Sequence, residues 1–195
     1  MDNEFRLIRE LGKSMHKKYT MHELSKKTRM PYATLYRAVK KMKEIIATER
    51  IGKAKTIALN LENPSIKSYL AVSSDKERKE YLEEQPIIKK IWGEQKTREI
   101  IALFGSYASK TQTEKSDIDL LIINKDGKKT IPFSKYETLF RIKINPVFIT
   151  KKEFTKMLQE KDENIGKQAL KNHVVLNNPE EFWELAINGI QQRRI

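Results

Sequence analysis

The first 45 residues contain three stretches in which apolar residues recur every three or four positions, as on one face of a helix. The first stretch covers residues 4–15. In the second, Thr20 and Glu23 have the spacing of a capping box, which predicts a helix that ends at about Thr28. Pro31 opens the third, since proline is tolerated in the first turn of a helix. The apolar residues expected to face the core are Phe5, Leu7, Ile8, Leu11, Met21, Leu24, Leu35, Val39 and Met42.

Beyond the third helix the pattern changes to alternation. Ile57, Leu59 and Leu61 alternate with polar residues, as in a half-buried strand, and the run 45–51 precedes them across Gly52. These features predict a β-hairpin. Three basic residues are expected at or near its tip, namely Arg50, Lys53 and Lys55.

Two prolines and a charged stretch separate this part from the rest of the chain. We predict a domain at residues 1–62, a helical connector at 63–94 and a second domain at 95–195. In the connector, Ile87, Ile88, Ile91 and Trp92 form a helical face. In the second domain, strands are predicted at 100–104, 117–123 and 142–150, and helices at 151–160, 163–171 and 180–190.

Composition restricts the chemistry. The 195 residues include no cysteine, which excludes disulfides and thiolate metal sites and favours a cytoplasmic location. No apolar run approaches the roughly 20 residues that span a bilayer, and the first residues do not resemble a signal peptide. Any metal must therefore bind to oxygen ligands or to the histidines, which lack zinc-site spacing. Those histidines are His16, His22 and His173, and we expect the last to be structural.

Charge is concentrated at the N-terminal end. The chain has a net charge of +13, and residues 1–60 hold 15 lysine and arginine residues against 6 acidic ones, a net of +9. The other 135 residues carry only +4. This asymmetry predicts a polyanionic partner for the N-terminal domain, although a solvated lysine-rich surface has the same composition.

Three helices followed by a hairpin, over residues 4–61, resemble a winged helix-turn-helix domain, and residues 21–37 resemble its helix-turn-helix. The resemblance implies binding of double-stranded DNA, with the third helix in the major groove and the hairpin along phosphates. A domain used for protein contacts or dimerisation remains the alternative, and a homodimer is a mild preference. The residues implied as base-reading are Tyr32, Thr34 and Arg37, and those implied as phosphate-binding are Lys40, Lys41, Lys53 and Lys55.

A second motif lies between the first two strands of the second domain. Gly105-Ser106 ends one strand, and Asp117-Ile118-Asp119 begins the next. Side chains two positions apart in a strand point to the same face, so the two carboxylates are expected to lie together, a costly arrangement unless a cation neutralises them. Magnesium prefers such oxygen ligands. Glycine allows close approach to a phosphate, and Ser106, expected at a helix start, can donate its hydroxyl and N–H to phosphate oxygens.

This pattern, over about residues 95–150, resembles the polymerase-beta nucleotidyltransferase superfamily and, within it, the minimal nucleotidyltransferases. The resemblance implies an α+β fold, a small mixed sheet flanked by helices. It assigns nucleotide binding to Gly105 and Ser106, and catalytic and metal-binding roles to Asp117 and Asp119. Mg²⁺ is the implied metal, and ATP or another nucleoside triphosphate is the implied substrate.

The motif departs from the family at one position. The family uses a third carboxylate on a later strand, where the best-matched residue here is Asn145. An amide offers a neutral oxygen to a metal but cannot act as a base. Glu137 and Glu153 flank the segment out of place, and Pro146 predicts an edge strand or a distorted one.

Three functions are compatible with these features. The first is an enzyme similar to the minimal nucleotidyltransferase antitoxins, which transfer AMP to a tyrosine of a HEPN-type toxin, combined here with binding to DNA. The second is a transcriptional regulator whose nucleotidyltransferase domain is degenerate and serves as a nucleotide sensor or a protein-binding surface. The third is a transferase acting on a small molecule, like the aminoglycoside nucleotidyltransferases, for which the chain shows no dedicated substrate domain.

Overall fold

A computed structural model describes residues 3–52 and 54–192 and divides the chain into two units, Met1–Ser73 and Ser74–Ile195. The residues predicted as a connector form helix α4 (Ile66–Glu84), within which the division falls, and helix α5 (Pro86–Gly93). No helix in the described part of the chain is long and apolar enough to cross a bilayer.

The first unit contains the predicted helices and hairpin in the predicted order. It also contains a two-residue strand, β1, that was not predicted, because so short a segment has no periodicity to detect. β3 pairs with both β1 and β2, so the sheet order is β1-β3-β2 and all pairs are antiparallel. The elements are α1 (Asn3–Gly12), β1 (Tyr19–Thr20), α2 (Met21–Thr28), α3 (Tyr32–Lys41), β2 (Ile46–Ile51) and β3 (Ala54–Leu59).

The start of α2 is capped as predicted. The Thr20 hydroxyl accepts from the Glu23 N–H at 3.3 Å, and the Glu23 carboxylate accepts from the Thr20 N–H at 2.7 Å. α2 ends at Arg29, whose φ of +52° is left-handed, and Pro31 directly precedes α3. A capped start and a left-handed end confine α2 to eight residues and produce the tight turn between the two helices.

Most of the residues predicted for the core of the first unit are buried. Phe5, Met21 and Met42 are only partly buried, so the predicted core was slightly too large. On the outer face of α3, Tyr32, Arg37, Lys40 and Lys41 are exposed, whereas Thr34 is half-buried. Lys55 is exposed on β3, and Lys53 lies outside the described residues. The buried members of the predicted core are Leu7, Ile8, Leu11, Leu24, Leu35, Val39, Ile57, Leu59 and Leu61.

The second unit alternates strands and helices. Its three predicted strands and its predicted helices are present, but helix α7 and strand β7 were not predicted. The segment of β7 shows no strand periodicity, because its four consecutive buried residues do not alternate with polar ones. After α5 the elements are β4 (Ile100–Phe104), α6 (Gly105–Ser109), β5 (Ile118–Asn124), α7 (Ser134–Phe140), β6 (Ile144–Thr150), α8 (Lys151–Gln159), α9 (Ile165–Lys171), β7 (His173–Asn177) and α10 (Pro179–Gln192).

The sheet of this unit has the order β6-β5-β4-β7. β5 runs antiparallel to β4 and parallel to β6, and β7 runs antiparallel to β4. The predicted mixed sheet in an α+β fold is therefore confirmed. β6 is an edge strand, as Pro146 predicted, since a residue without an N–H is tolerated where one side of the strand has no partner.

His173 lies in the core of this unit, as expected for a structural histidine. Its side chain is fully buried, and Nδ1 lies 2.9 Å from the carbonyl oxygens of Ala169 and Leu170. Its ring centroid is 4.9 Å from that of Phe182 and 5.3 Å from that of Trp183. These contacts join the end of α9, β7 and α10, and therefore hold α9 beside the sheet.

Candidate nucleotide and metal site

Gly105 lies at the turn between β4 and α6 and is required there for two reasons. Its φ is +70°, which side-chain-bearing residues rarely adopt. A Cβ at this position would also overlap Oδ2 of Asp119, because Phe104 pairs with Asp119 in the β4–β5 ladder. The sequence indicated a glycine for close approach to a phosphate, and the structure adds a close approach to a carboxylate.

The two aspartates and Asn145 meet at the adjacent strand ends. Asp117 directly precedes β5, and Asp119 is its second residue. In the parallel register of β5 and β6, Asp119 is opposite Asn145. The Asn145 Nδ2 donates to Asp117 Oδ2 at 3.0 Å and lies 3.4 Å from Asp119 Oδ1. The structure thus brings the three residues together.

The neighbouring glutamates are used elsewhere. The Glu137 carboxylate accepts from the Ile144 N–H at 3.0 Å, and the Glu153 carboxylate caps α8 by accepting from the Thr150 N–H at 2.7 Å. Asn145 therefore occupies the position of the family's third carboxylate, and neither Glu137 nor Glu153 takes its place. In the described part of the chain, no three histidine, aspartate or glutamate side chains are grouped so as to hold a metal ion.

The electrostatics of the site favour a cation. The hydrogen bond from Asn145 lowers the pKa of Asp117, burial opposes this effect, and Lys143, whose Nζ lies 3.3 Å from Asp117 Oδ2, adds to the lowering. Two carboxylates with one exposed lysine leave net negative charge. This donor set fits one divalent cation, with Asn145 contributing a neutral oxygen if its amide turns to present Oδ1.

An open cleft of about 520 Å³ lies in front of these residues. Gly105, Asp119 and Asn145 line one side of it. The other side comes from α9 and its flanking residues, which the sequence did not single out for the site. Its polar members are Glu163, Gln168, Lys171 and Asn172.

Asn172 connects the two sides of the cleft. Its Nδ2 donates to the Gly105 carbonyl at 3.0 Å and so attaches the end of α9 to the turn that precedes Ser106. Lys171 pairs with Glu163 at 2.6 Å on the same side of the cleft. In the sequence, Lys171 and Asn172 are only two polar residues before a buried strand, and this pattern is too common to indicate a site.

We expect Asn172→Ala to weaken nucleotide binding several-fold while the protein remains folded. The variant removes one hydrogen bond, typically worth about 0.5–1.5 kcal/mol. Its loss leaves the Gly105 carbonyl with the hydrogen bond from the Ser109 hydroxyl at 2.9 Å but detaches the turn from the end of α9. Nucleotide affinity by calorimetry and the melting temperature check this. Asn178→Ala removes an amide that donates at 3.2 Å to the Arg98 carbonyl, outside the cleft, and serves as the control. Equal effects of both variants on affinity would contradict a positioning role for Asn172.

Residues 86–181 match the family model described as Polymerase beta, Nucleotidyltransferase. This part of the chain is a nucleotidyltransferase-type domain. The matched range extends from α5 into α10, so it contains the glycine turn, both aspartates and Asn145. Domains of this type use a nucleoside triphosphate and a divalent metal ion. Comparisons with curated proteins and with solved structures found no match.

Proposed function

We propose that the nucleotidyltransferase domain binds a nucleoside triphosphate, ATP in the first place, together with Mg²⁺. The domain then transfers the nucleotidyl group to a hydroxyl of a protein acceptor, so that an ester bond forms at the α-phosphorus while its bond to the β-phosphate breaks and pyrophosphate leaves. The acceptor class follows the resemblance to the minimal nucleotidyltransferase antitoxins, whose acceptor is a HEPN-type toxin. The observation that carries the proposal is the convergence of Asp117 and Asp119 on Asn145, with Asp119 beside the left-handed Gly105 turn and in the lining of the cleft.

Each of these residues has a role in the proposed binding. Gly105 exposes its backbone, so a phosphate can approach it closely, and Ser106, which is partly exposed, offers a hydroxyl and an N–H. Asp117 and Asp119 would hold the metal. Bound Mg²⁺ would neutralise charge on the triphosphate. The cleft, at about 520 Å³, lies in the size range of nucleotide-sized ligand sites.

Asn145 limits the chemistry of transfer. An amide cannot take the proton of the attacking hydroxyl, so this proton must go to solvent or to a group of the acceptor. The remaining contribution of the domain is to position the triphosphate and the acceptor in line. We therefore expect transfer to be slow.

Calorimetric titration with ATP and GTP, with Mg²⁺ or with EDTA, tests the binding step, and incubation with α-labelled ATP and cell extract tests the transfer. Binding that requires Mg²⁺, together with label on a protein band, supports the proposal. Absence of binding at millimolar nucleotide would refute both steps.

A second candidate function is a regulator whose domain binds the nucleotide without transferring it. The observation that favours it is again Asn145, which donates to both carboxylates and occupies the place of an acid. Mg²⁺-dependent binding with no label on any protein would favour this candidate over the enzyme.

Restoring the acid tests whether Asn145 occupies the position of the third metal-binding carboxylate. We expect Asn145→Asp to bind Mg²⁺ about tenfold more tightly and to transfer faster, because a third carboxylate adds a charged ligand and a possible base. Without metal, the same variant should be less stable, since three carboxylates repel one another. Metal titration and melting with and without Mg²⁺ check both effects, and Asn145→Ala is the control. A lower Mg²⁺ affinity in Asn145→Asp than in wild type would contradict the assignment.

We further propose that the first unit is a winged helix-turn-helix that binds double-stranded DNA. The support is the net charge of its residues and the exposed outer face of α3. Arg37 and the half-buried Thr34 would contact bases, and the exposed Lys40 of α3 and Lys55 of β3 would contact phosphates. Lys53, which lies outside the described residues, stays a candidate from its place in the sequence alone. Lys41 is paired with Glu4 at 2.8 Å, so it contributes only if this exposed pair opens. Duplex binding that weakens steeply with salt, measured by fluorescence anisotropy, would support this.

A further inference from the structure

A second cleft lies within the first unit, between α3 and the hairpin, and has a volume of about 300 Å³. Its floor is apolar, because Val39, Ile46 and Ile57 are all buried residues of the core. Its rim is aromatic and basic. The rim residues are Tyr32, Tyr36, Lys40, Lys43 and Lys55.

The two tyrosines of the rim are unusually exposed. Tyr32 is 58% exposed and Tyr36 is 53% exposed, and they lie four residues apart on α3, so that both rings stand on the same side of the helix. Single exposed hydrophobic side chains are common on protein surfaces. Two exposed aromatic rings that line one cleft above an apolar floor are instead typical of a binding surface.

The charge of the cleft has one sign. Among the residues that line it there are three lysines and no carboxylate. Glu49, the acidic residue of β2, is paired with Lys18. The cleft therefore attracts a ligand that combines a flat apolar group with negative charge.

We propose that this cleft binds an unpaired nucleotide of a single-stranded nucleic acid segment. The base stacks on Tyr36, beside Tyr32 and above the apolar floor, and Lys40, Lys43 and Lys55 contact the phosphates on either side. This inference rests on the proposed DNA-binding function of the first unit and adds to the duplex proposed there a single-stranded ligand, which this cleft binds. A duplex offers only base edges to a protein, whereas stacking on a tyrosine requires the face of a base, which only an unpaired nucleotide presents.

The test compares two labelled DNA probes, a 12-nucleotide single strand of mixed sequence and its duplex, by fluorescence anisotropy with the full chain. We expect the single strand to bind at least as tightly as the duplex. Tyr36→Ala should weaken single-strand binding about tenfold, since stacking on an aromatic side chain is worth about 1–3 kcal/mol per base and each 1.4 kcal/mol is a factor of ten. Tyr36→Phe keeps the ring and should bind like wild type.

Tyr69 provides the matched control, since it is a tyrosine of α4 that is 37% exposed and does not line the cleft. Tyr69→Ala should leave binding unchanged. Lys43→Ala should reduce the slope of log affinity against log salt by about 0.7, as expected for one phosphate contact to a single strand. Because none of the substituted side chains is fully buried, melting temperatures should fall only slightly and every variant should be folded at the assay temperature.

The possible failures are distinguishable. The inference would be overturned if the duplex bound more than tenfold more tightly than the single strand and Tyr36→Ala bound the single strand like wild type. This result would leave the proposed DNA-binding function intact. No binding of either probe in low salt would overturn both. Equal losses in Tyr36→Ala and Tyr69→Ala would also overturn the inference, because the effect would not belong to the cleft.

Discussion

Asp117→Asn/Asp119→Asn is expected to abolish Mg²⁺-dependent nucleotide binding, with a loss of at least about 100-fold in affinity. Asparagine preserves the shape of each side chain and removes the two charges that make this strand end a metal site. A divalent cation then retains only neutral amide oxygens, which are weak ligands by comparison with carboxylates. Calorimetric titration with ATP and Mg²⁺ measures the effect.

The same variant should remain folded in the absence of metal, with a stability close to that of wild type. Two like charges so close together repel each other, but the Asn145 amide and Lys143 favour the charged form of Asp117 and offset this repulsion. A control with the same change in charge is Asp126→Asn/Asp162→Asn, which alters two exposed aspartates outside the cleft. Unchanged Mg²⁺-dependent binding in the site variant, or an equal loss in the control, would refute the assignment.

Gly105→Ala is expected to lose nucleotide binding to a similar extent and to destabilise the domain by about 1–3 kcal/mol. The left-handed conformation alone costs a side-chain-bearing residue about 1–2 kcal/mol. In addition, the new methyl group overlaps Asp119 Oδ2, so either the carboxylate or the turn must move. Both movements separate the phosphate-binding backbone from the metal ligands. Melting and calorimetry of the same preparation measure the two effects.

Two glycines of the same unit provide control variants that distinguish the effect of backbone strain from the effect of steric overlap. Gly127 has a φ of +66° and only ordinary contacts around its missing Cβ, so Gly127→Ala should show the strain without loss of nucleotide affinity. Gly93 has open space at this position, so Gly93→Ala should change neither property appreciably. If Gly105→Ala binds ATP and Mg²⁺ like Gly127→Ala, the contact between the glycine turn and Asp119 has no part in nucleotide binding.

Asn145 determines how the two candidate functions of the nucleotidyltransferase domain differ. Its amide donates to Asp117 and lowers the pKa of this carboxyl below its ordinary value, which favours the charged form that binds a cation. The same amide cannot accept a proton, which slows any transfer that lacks a base from the acceptor. Metal binding and transfer therefore both depend on this one position, and Asn145→Asp is expected to raise both.

Local pattern was sufficient to predict much of the first unit. The helical spacing of Leu7, Ile8 and Leu11, the Thr20–Glu23 capping box and the alternation from Ile57 to Leu61 are all short-range features, and the corresponding elements are present. β1 could not be predicted, because its two residues are a strand only through pairing with Ile57 and Thr56 of β3. The cleft between α3 and the hairpin likewise could not be predicted, because it depends on how α3 packs against the hairpin.

In the nucleotidyltransferase domain, the sequence by itself determined the motif residues, since Gly105 and the two aspartates are close in the chain and strand geometry dictates where the carboxylates point. The sequence also identified Asn145 as the departure from the family pattern. Only the tertiary structure decided that Asn145 contacts both carboxylates, because this depends on the parallel register of β5 and β6. The structure alone also brought Asn172, 67 residues further along the chain, to the carbonyl of Gly105, because strand pairing and helix packing join residues that no local pattern connects.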